Sequence, residues 1–353
     1  MPLSILPFGA LPDGTPVHLY VLESGGLKAV VSTYGGALTS LLVPDRAGRP
    51  GDVVLGYDDL AGYRADACYF GALIGRYGNR IGDSRFTLDG RTYALPPNEG
   101  PTHLHGGPQG FHRAVWEAGE QDGGAEPFLE LGHVSPNGDA GYPGNLFVTV
   151  RYALTRDGAL VIDYRAVTDA ATPVNLTNHA YFNLAGADSG QTVLDHELTL
   201  AAPAYLPVNE LLLPTGEIAP TAKTPFDFTS PIPIGARIGE TDPQLALAGG
   251  YDHNMVLGGE PGALRFAAKV HEPRSGRVMI METTEPGVQF YSGNFIPEGL
   301  PGKNGARYPH RGGFCLEAQH YPDSPNRPEF PSTILRPGET YSQTTAYRFQ
   351  TAP

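Results

Sequence analysis

Nowhere in this chain do apolar residues recur at helical spacing over three turns. Short runs of alternating apolar and polar residues take their place, broken by Gly25-Gly26, Gly35-Gly36, Asp89-Gly90 and Asp157-Gly158. Side chains alternate across a strand, so such runs bury one face and wet the other. Strands are expected at 18–23, 28–33, 37–43 and 53–57. More are expected at 197–201, 263–270, 278–284, 288–292, 313–318 and 340–349. Residues 86–88 and 91–95 flank one Asp-Gly, and 151–155 and 159–167 flank the other. Asp-Gly suits a tight hairpin turn, because both central residues of that turn take positive φ. Helix is confined to a turn at 58–63, capped by Asp58, and a short stretch at 242–248. Residues 119–127 read as a polar surface loop, and 203–242 as a long proline-rich excursion expected to line a site. The 46 glycines and 34 prolines follow no period, which fits a loop-rich β protein rather than disorder. The expected fold is all-β, a large antiparallel β-sandwich with very little helix.

Net charge narrows the partners. The chain carries 24 basic and 37 acidic residues, for −13 overall. That weighs against nucleic acid, anionic membranes and strongly anionic substrates. The two cysteines, Cys68 and Cys315, make no disulfide framework at this length, and each reads as a small buried hydrophobe. The N-terminal residues, with Pro2 and Pro7, form no basic-then-apolar leader, and no 18-residue apolar run occurs. A soluble cytoplasmic protein is expected, a monomer or weak homodimer, with no membrane and no nucleic-acid partner.

Six stretches carry chemistry. In 175–184, read as extended, Asn175, Thr177, His179, Tyr181 and Asn183 fall on one side, with Leu176, Asn178, Ala180, Phe182 and Leu184 on the other. So dense a polar row points to a polar ligand, a sugar, with His179 donating or accepting a proton at its centre. Arg80 beside Asn79 offers a guanidinium fork and an amide, suited to hydroxyls or a carboxylate. His103 and His105 would share a strand face, as two metal ligands do, but neighbouring Glu99 and His112 form no metal motif with them. Gly106 and Gly107 favour close backbone approach. Asp252 is either an acceptor for two vicinal hydroxyls or a turn residue, and Gln289 and Tyr291 share a face that suits a polar ligand. Last, Cys315, Glu317 and Gln319 alternate with Phe314, Leu316 and Ala318. A glutamate in that setting is either salt-bridged or a base, since burial raises a carboxyl from its usual value of about 4.3.

Taken in order, GRYGNRI (75–81), LHGG (104–107), NLTNHAYFNL (175–184), DHN (252–254), GVQFYSGN (287–294) and FCLEAQ (314–319) resemble the aldose 1-epimerases. DVVLGY (52–57) and RPGET (336–340) extend the resemblance over nearly the whole chain. It implies a galactose mutarotase-like supersandwich, with residues 1–353 as a single catalytic domain. No cofactor and no metal are implied, and the substrate would be a free monosaccharide. The implied activity interconverts α- and β-anomers of aldohexoses such as D-galactose and D-glucose by acid–base ring opening. Glu317 would be the general base and His179 the general acid, on opposite sides of one pyranose. Asn79, Arg80, His105, Asp252 and Gln289 would hold the sugar, with Tyr181 beside His179. Ala180 replaces a serine common in the family and is expected to point away from the site. Glu285 replaces a frequent glutamine and is expected to add charge at the groove's rim.

Two rival readings remain at this stage. A hexose-phosphate epimerase on a related sandwich would need an Arg/Lys cluster, and Arg80 is the only guanidinium assigned to the site. A non-catalytic sugar-binding protein would have no use for both Glu317 and His179.

Overall fold

Strand runs through the computed structural model, which describes residues 3–260 and 262–352. Among them the only α-helices are Leu60–Ala65 and Pro243–Ala248. The second falls within the expected 242–248, and Asp242 caps it, accepting from the Gln244 and Leu245 N–H groups. The first is capped by Asp59, which accepts from Gly62 at 2.8 Å. Asp58 instead accepts from the Asn304 N–H.

The largest sheet has nine antiparallel strands. Their order is Glu117–Asp122, Phe128–Ser135, Leu146–Leu154, Ala159–Thr168, Tyr341–Thr351, Arg277–Thr283, Arg265–His271, Glu197–Leu200 and Ile232–Pro233. Tyr341–Thr351 lies between Ala159–Thr168 and Arg277–Thr283 and so joins the two halves. A five-stranded sheet carries Ala219–Pro220, Ala204–Tyr205, Asp252–Val256, Gly287–Tyr291 and Cys315–Gln319. Another, from Ser4–Ala10 through Pro50–Asp52, is built from the N-terminal residues.

Alternation divides the Asp252-containing sheet cleanly. Met255, Val288, Phe290, Leu316 and Ala318 join one apolar cluster with Leu131, Val150, Ile162, Met281 and Tyr347 of the nine-stranded sheet. Burial of each such large side chain stabilises by roughly 1.5–3 kcal/mol. Two hydrogen bonds pin the layers: Tyr347 Oη donates to the Leu316 carbonyl at 3.1 Å, and Gln343 Nε2 to the Ala318 carbonyl at 3.1 Å. The opposite face presents Asp252, Asn254, Gln289, Tyr291, Cys315, Glu317 and Gln319. This is the all-β sandwich anticipated from the sequence, with a polar sheet face left over.

Several local expectations change. At Asp89-Gly90 both residues do take positive φ, 50° and 78°. The other hairpin turns through four residues, with Thr155 N donating to the Ala159 carbonyl and positive φ only at Gly158. Residues 53–57 form no strand, only a bridge from Val54 to Phe182. The start of the expected 119–127 loop is instead the edge strand Glu117–Asp122, paired with Phe128–Ser135. No helix among the described residues is long and apolar enough to cross a membrane.

Candidate active site

The Cys315–Gln319 strand is a regular ladder partner of Gly287–Tyr291, with Glu317 opposite Gln289. The Asn175–Leu184 segment runs beside it. Phe182 and Phe314 exchange both backbone hydrogen bonds, at 2.7 and 2.9 Å. Only Thr177–Asn178 is regular strand, paired with Leu73–Ile74. Alternation still holds, for Leu176, Ala180, Phe182 and Leu184 enter the main core. Ala180 thus points away from the site, as expected.

This pairing brings His179 Nε2 to 3.7 Å from Glu317 Oε1. They share one wall of a cavity, rather than facing each other across it. That closeness suits a hemiacetal, whose ring oxygen and hydroxyl oxygen are both bonded to C1. Both groups are buried, His179 5% and Glu317 2% exposed. Burial pushes the Glu317 carboxyl well up, and Asp252 adds to it against the pull of Arg80. Burial lowers His179 to about 4, a hydrogen bond with its own backbone carbonyl opposing the shift. Each shift favours the uncharged form.

Around the pair lie Tyr69, Asn79, Arg80, Glu99, His105, Tyr181, Asp252, Tyr291 and Phe295, enclosing about 210 Å³. That is below the roughly 300–1,000 Å³ of pockets for drug-sized ligands, and suits one small polar molecule. Asn79 and His105 both adopt left-handed backbone, φ 67° and 53°. They clamp each other: Asn79 N–H donates to His105 Nδ1 at 3.1 Å, and His105 N–H to the Asn79 carbonyl at 3.2 Å. Gly106 makes this turn possible, for a Cβ there would fall 1.8 Å from the Gly75 carbonyl oxygen.

The same clamp bears on metal binding. His105, His179 and Glu317 each bring a potential ligand atom, all within 4.8 Å. Because His105 Nδ1 accepts from Asn79, the neutral ring carries its proton on Nε2, a donor rather than a ligand. His103 does not share its face. It turns away and its Nδ1 meets the Pro96 carbonyl at 2.8 Å.

Arg80 is held at one edge by Glu99, through Nε at 2.5 Å and Nη2 at 2.8 Å. Its Nη1 lies 3.9 Å from Asp252. Burial raises Asp252, against the opposing pull of Arg80 and Gln289. Gln289 lies outside the cavity wall. Its Nε2 donates to Asp252 Oδ1 at 2.7 Å and steadies that carboxylate, while its Oε1 has no partner among the described residues. The excursion 203–242 contributes no wall residue and instead extends the far edge of the sheet. Glu285 is not at the rim: it is 3% exposed and 2.5 Å from His320 Nδ1.

Sequence reasoning missed three members, Phe295 among them. Tyr69 sits at φ 62° and stacks on His179 at 5.8 Å, while Tyr181 stacks on the other side at 4.9 Å. Asp66 holds this loop by accepting from the Cys68 and Phe70 N–H groups at 2.8 and 2.7 Å. A left-handed tyrosine leaves no signal in sequence. Glu99 was weighed only as a metal ligand, although its charge lies within reach of Arg80 in the sequence neighbourhood of the LHGG turn.

Comparison with known proteins adds an independent line. The family model described as aldose 1-epimerase matches residues 18–348. The galactose mutarotase of Bos taurus is 48% identical over 346 residues, covering 98% of each chain. The aldose 1-epimerase of Escherichia coli K12 is 40% identical, covering 96% of each. Among solved structures, a galactose 1-epimerase from Lactobacillus acidophilus superposes with a TM-score of 0.86 at 28% identity, covering all of both chains.

Proposed function

Because the chain belongs to the aldose 1-epimerase family, and is therefore an isomerase acting on carbohydrates, we propose that it interconverts the α- and β-anomers of free aldohexoses such as D-galactose and D-glucose. Glu317 takes the proton from the C1 hydroxyl. His179 Nε2 gives a proton to the ring oxygen as the C1–O5 bond breaks. The open aldehyde turns about C1–C2, and the same two proton transfers run backwards on the other face.

The observation that carries this reading is the 3.7 Å approach of two buried groups whose shifts both favour neutrality. With a cyclic sugar the working pair is charged, carboxylate and imidazolium. Ring opening moves the proton to Glu317 from the sugar and from His179 to the sugar, leaving both uncharged. Burial penalises the charged pair more than the neutral one. Burial therefore favours the opening step. Two positioned acid–base groups, each contributing about 10²–10⁴, suffice for a reaction that already runs in water.

His105 Nε2–H, Arg80, Asn79 and Asp252 supply donors and acceptors for the sugar hydroxyls, and Tyr181 supports the acid. The chain acts as one catalytic unit, since the nine-stranded sheet backing the site draws strands from Glu117–Asp122 to Tyr341–Thr351. A single unfolding transition that coincides with loss of activity checks that. Polarimetry on freshly dissolved α-D-galactose and α-D-glucose tests the activity. Decay of rotation no faster than in buffer would overturn it. The hexose-phosphate reading is disfavoured, because Arg80 is the only Arg or Lys in the cavity wall among the described residues and is already paired.

A further inference from the structure

An imidazole that serves as acid on opening and base on closing must use one nitrogen for both. The other nitrogen has to keep its proton throughout. In His179 the working nitrogen is Nε2, which faces Glu317. Nδ1 lies 3.5 Å from Cys315 Sγ, and the ring also interacts with the residue's own backbone carbonyl.

Cys315 packs in the apolar cluster that holds Leu55, Tyr181 and Tyr291, and within it meets the His179 ring. It is 0% exposed and sits two residues before Glu317 on the same strand face. Burial, with Glu317 next, pushes its thiol well above the usual range, so it stays uncharged and unreactive. Sulfur is a weak acceptor. It gives Nδ1–H a partner. The ring is then fixed on four sides: Tyr69 and Tyr181 on its faces, Cys315 at Nδ1, Glu317 near Nε2.

We propose that Cys315 is a positioning residue for the acid, its Sγ accepting the Nδ1–H bond and so confining the transferable proton to Nε2. This rests on the reading of His179 as the acid. The opposite polarity, thiol donating to Nδ1, would leave a neutral ring with no lone pair on Nε2. Such a ring could not take the proton back on closing.

The test uses full-length protein labelled with ¹⁵N-histidine, whose two-bond ¹H–¹⁵N correlations report which nitrogen is protonated. The His179 signals are identified by their loss in His179→Asn. In the wild type at pH 7, neutral His179 carries its proton on Nδ1. Cys315→Ala mixes the tautomers and lowers kcat roughly three- to tenfold, as expected for one weak hydrogen bond, with KM for galactose unchanged. Cys315→Ser recovers most of the loss. A wild-type proton on Nε2 overturns the proposal whether or not the variants fold. So does Cys315→Ala with wild-type kcat and tautomer. If His179→Asn itself keeps wild-type mutarotation, the acid assignment fails instead, and the two failures are told apart.

Discussion

The strand that carries Glu317 and the segment that carries His179 lie side by side, yet they use their polar residues in opposite ways. In Cys315–Gln319 the ladder with Gly287–Tyr291 satisfies the backbone. Its side chains are not needed for the backbone, and Glu317 Oε2 and both amide atoms of Gln319 have no hydrogen-bond partner among the described residues. In 175–184 regular pairing covers only two residues. There Asn175 Nδ2 donates to the Gly78 and His320 carbonyls, Asn178 Nδ2 to the Gly71 carbonyl, and Asn183 Nδ2 to the Gln191 and Gly312 carbonyls. Irregular backbone draws on neighbouring amides to meet its hydrogen-bonding needs. The dense polar row that pointed to a ligand is mostly scaffold, and only His179 and Tyr181 reach the cavity.

The sharpest way to break this comparison is to remove the chemistry from each side. Glu317→Gln and His179→Asn should each lower kcat by about 10²–10⁴, with near-UV circular dichroism unchanged. Either variant turning over galactose at the wild-type rate would show that the two elements do not form a working pair.

Next in size is the contrast between scaffold and free amides. Asn183→Ala orphans the buried Gly312 carbonyl and frees that of exposed Gln191, and should cost about 1–3 kcal/mol in urea denaturation, with kcat unchanged. Gln319→Met removes an amide that bonds to nothing described, and should cost less than about 1 kcal/mol. The reverse ranking would refute the division of labour drawn above.

The smallest effect concerns Glu285, which ties the end of the base strand to the preceding connection through His320. Burial pulls His320 down, but the charge and hydrogen bond of Glu285 outweigh it and leave its pKa raised. A raised folded-state value gives stability that is full below the usual 6.5 or so and fades as pH climbs through the folded value. Wild-type stability should therefore decline across the window that opens near pH 6.5 and ends above the raised folded value. Glu285→Gln should be less stable at the acid end and flat across that window. A slope that survives the substitution would assign it to another group.

Regular elements were legible because their signals are local. Alternation placed Glu317 and Gln289 on one face, and Asp89-Gly90 announced a turn that both residues can occupy. What stayed hidden depends on distant partners. The amide of Gln289 reads as a sugar contact until its Nε2 is seen to donate to Asp252. Glu285 reads as exposed until His320, thirty-five residues away, is found against it. Tyr69 owes its position to a left-handed backbone held by Asp66, and Phe128–Ser135 was overlooked although its partner strand was recognised. Long-range pairing, rather than composition, decides each of these.

The central claim is that Glu317 and His179, both buried, share one proton and pass it through the sugar. The pH dependence of kcat/KM for galactose tests it most directly. Below His179's lowered value of about 4 the pair takes up a second proton and activity falls. Above it the one-proton pair persists until Glu317's raised carboxyl gives up the last proton, so the acid limb of the profile should lie near pH 4, well below an ordinary imidazole's value. A profile that instead falls with an apparent pKa near 6.5, that of an ordinary imidazole, would contradict the account.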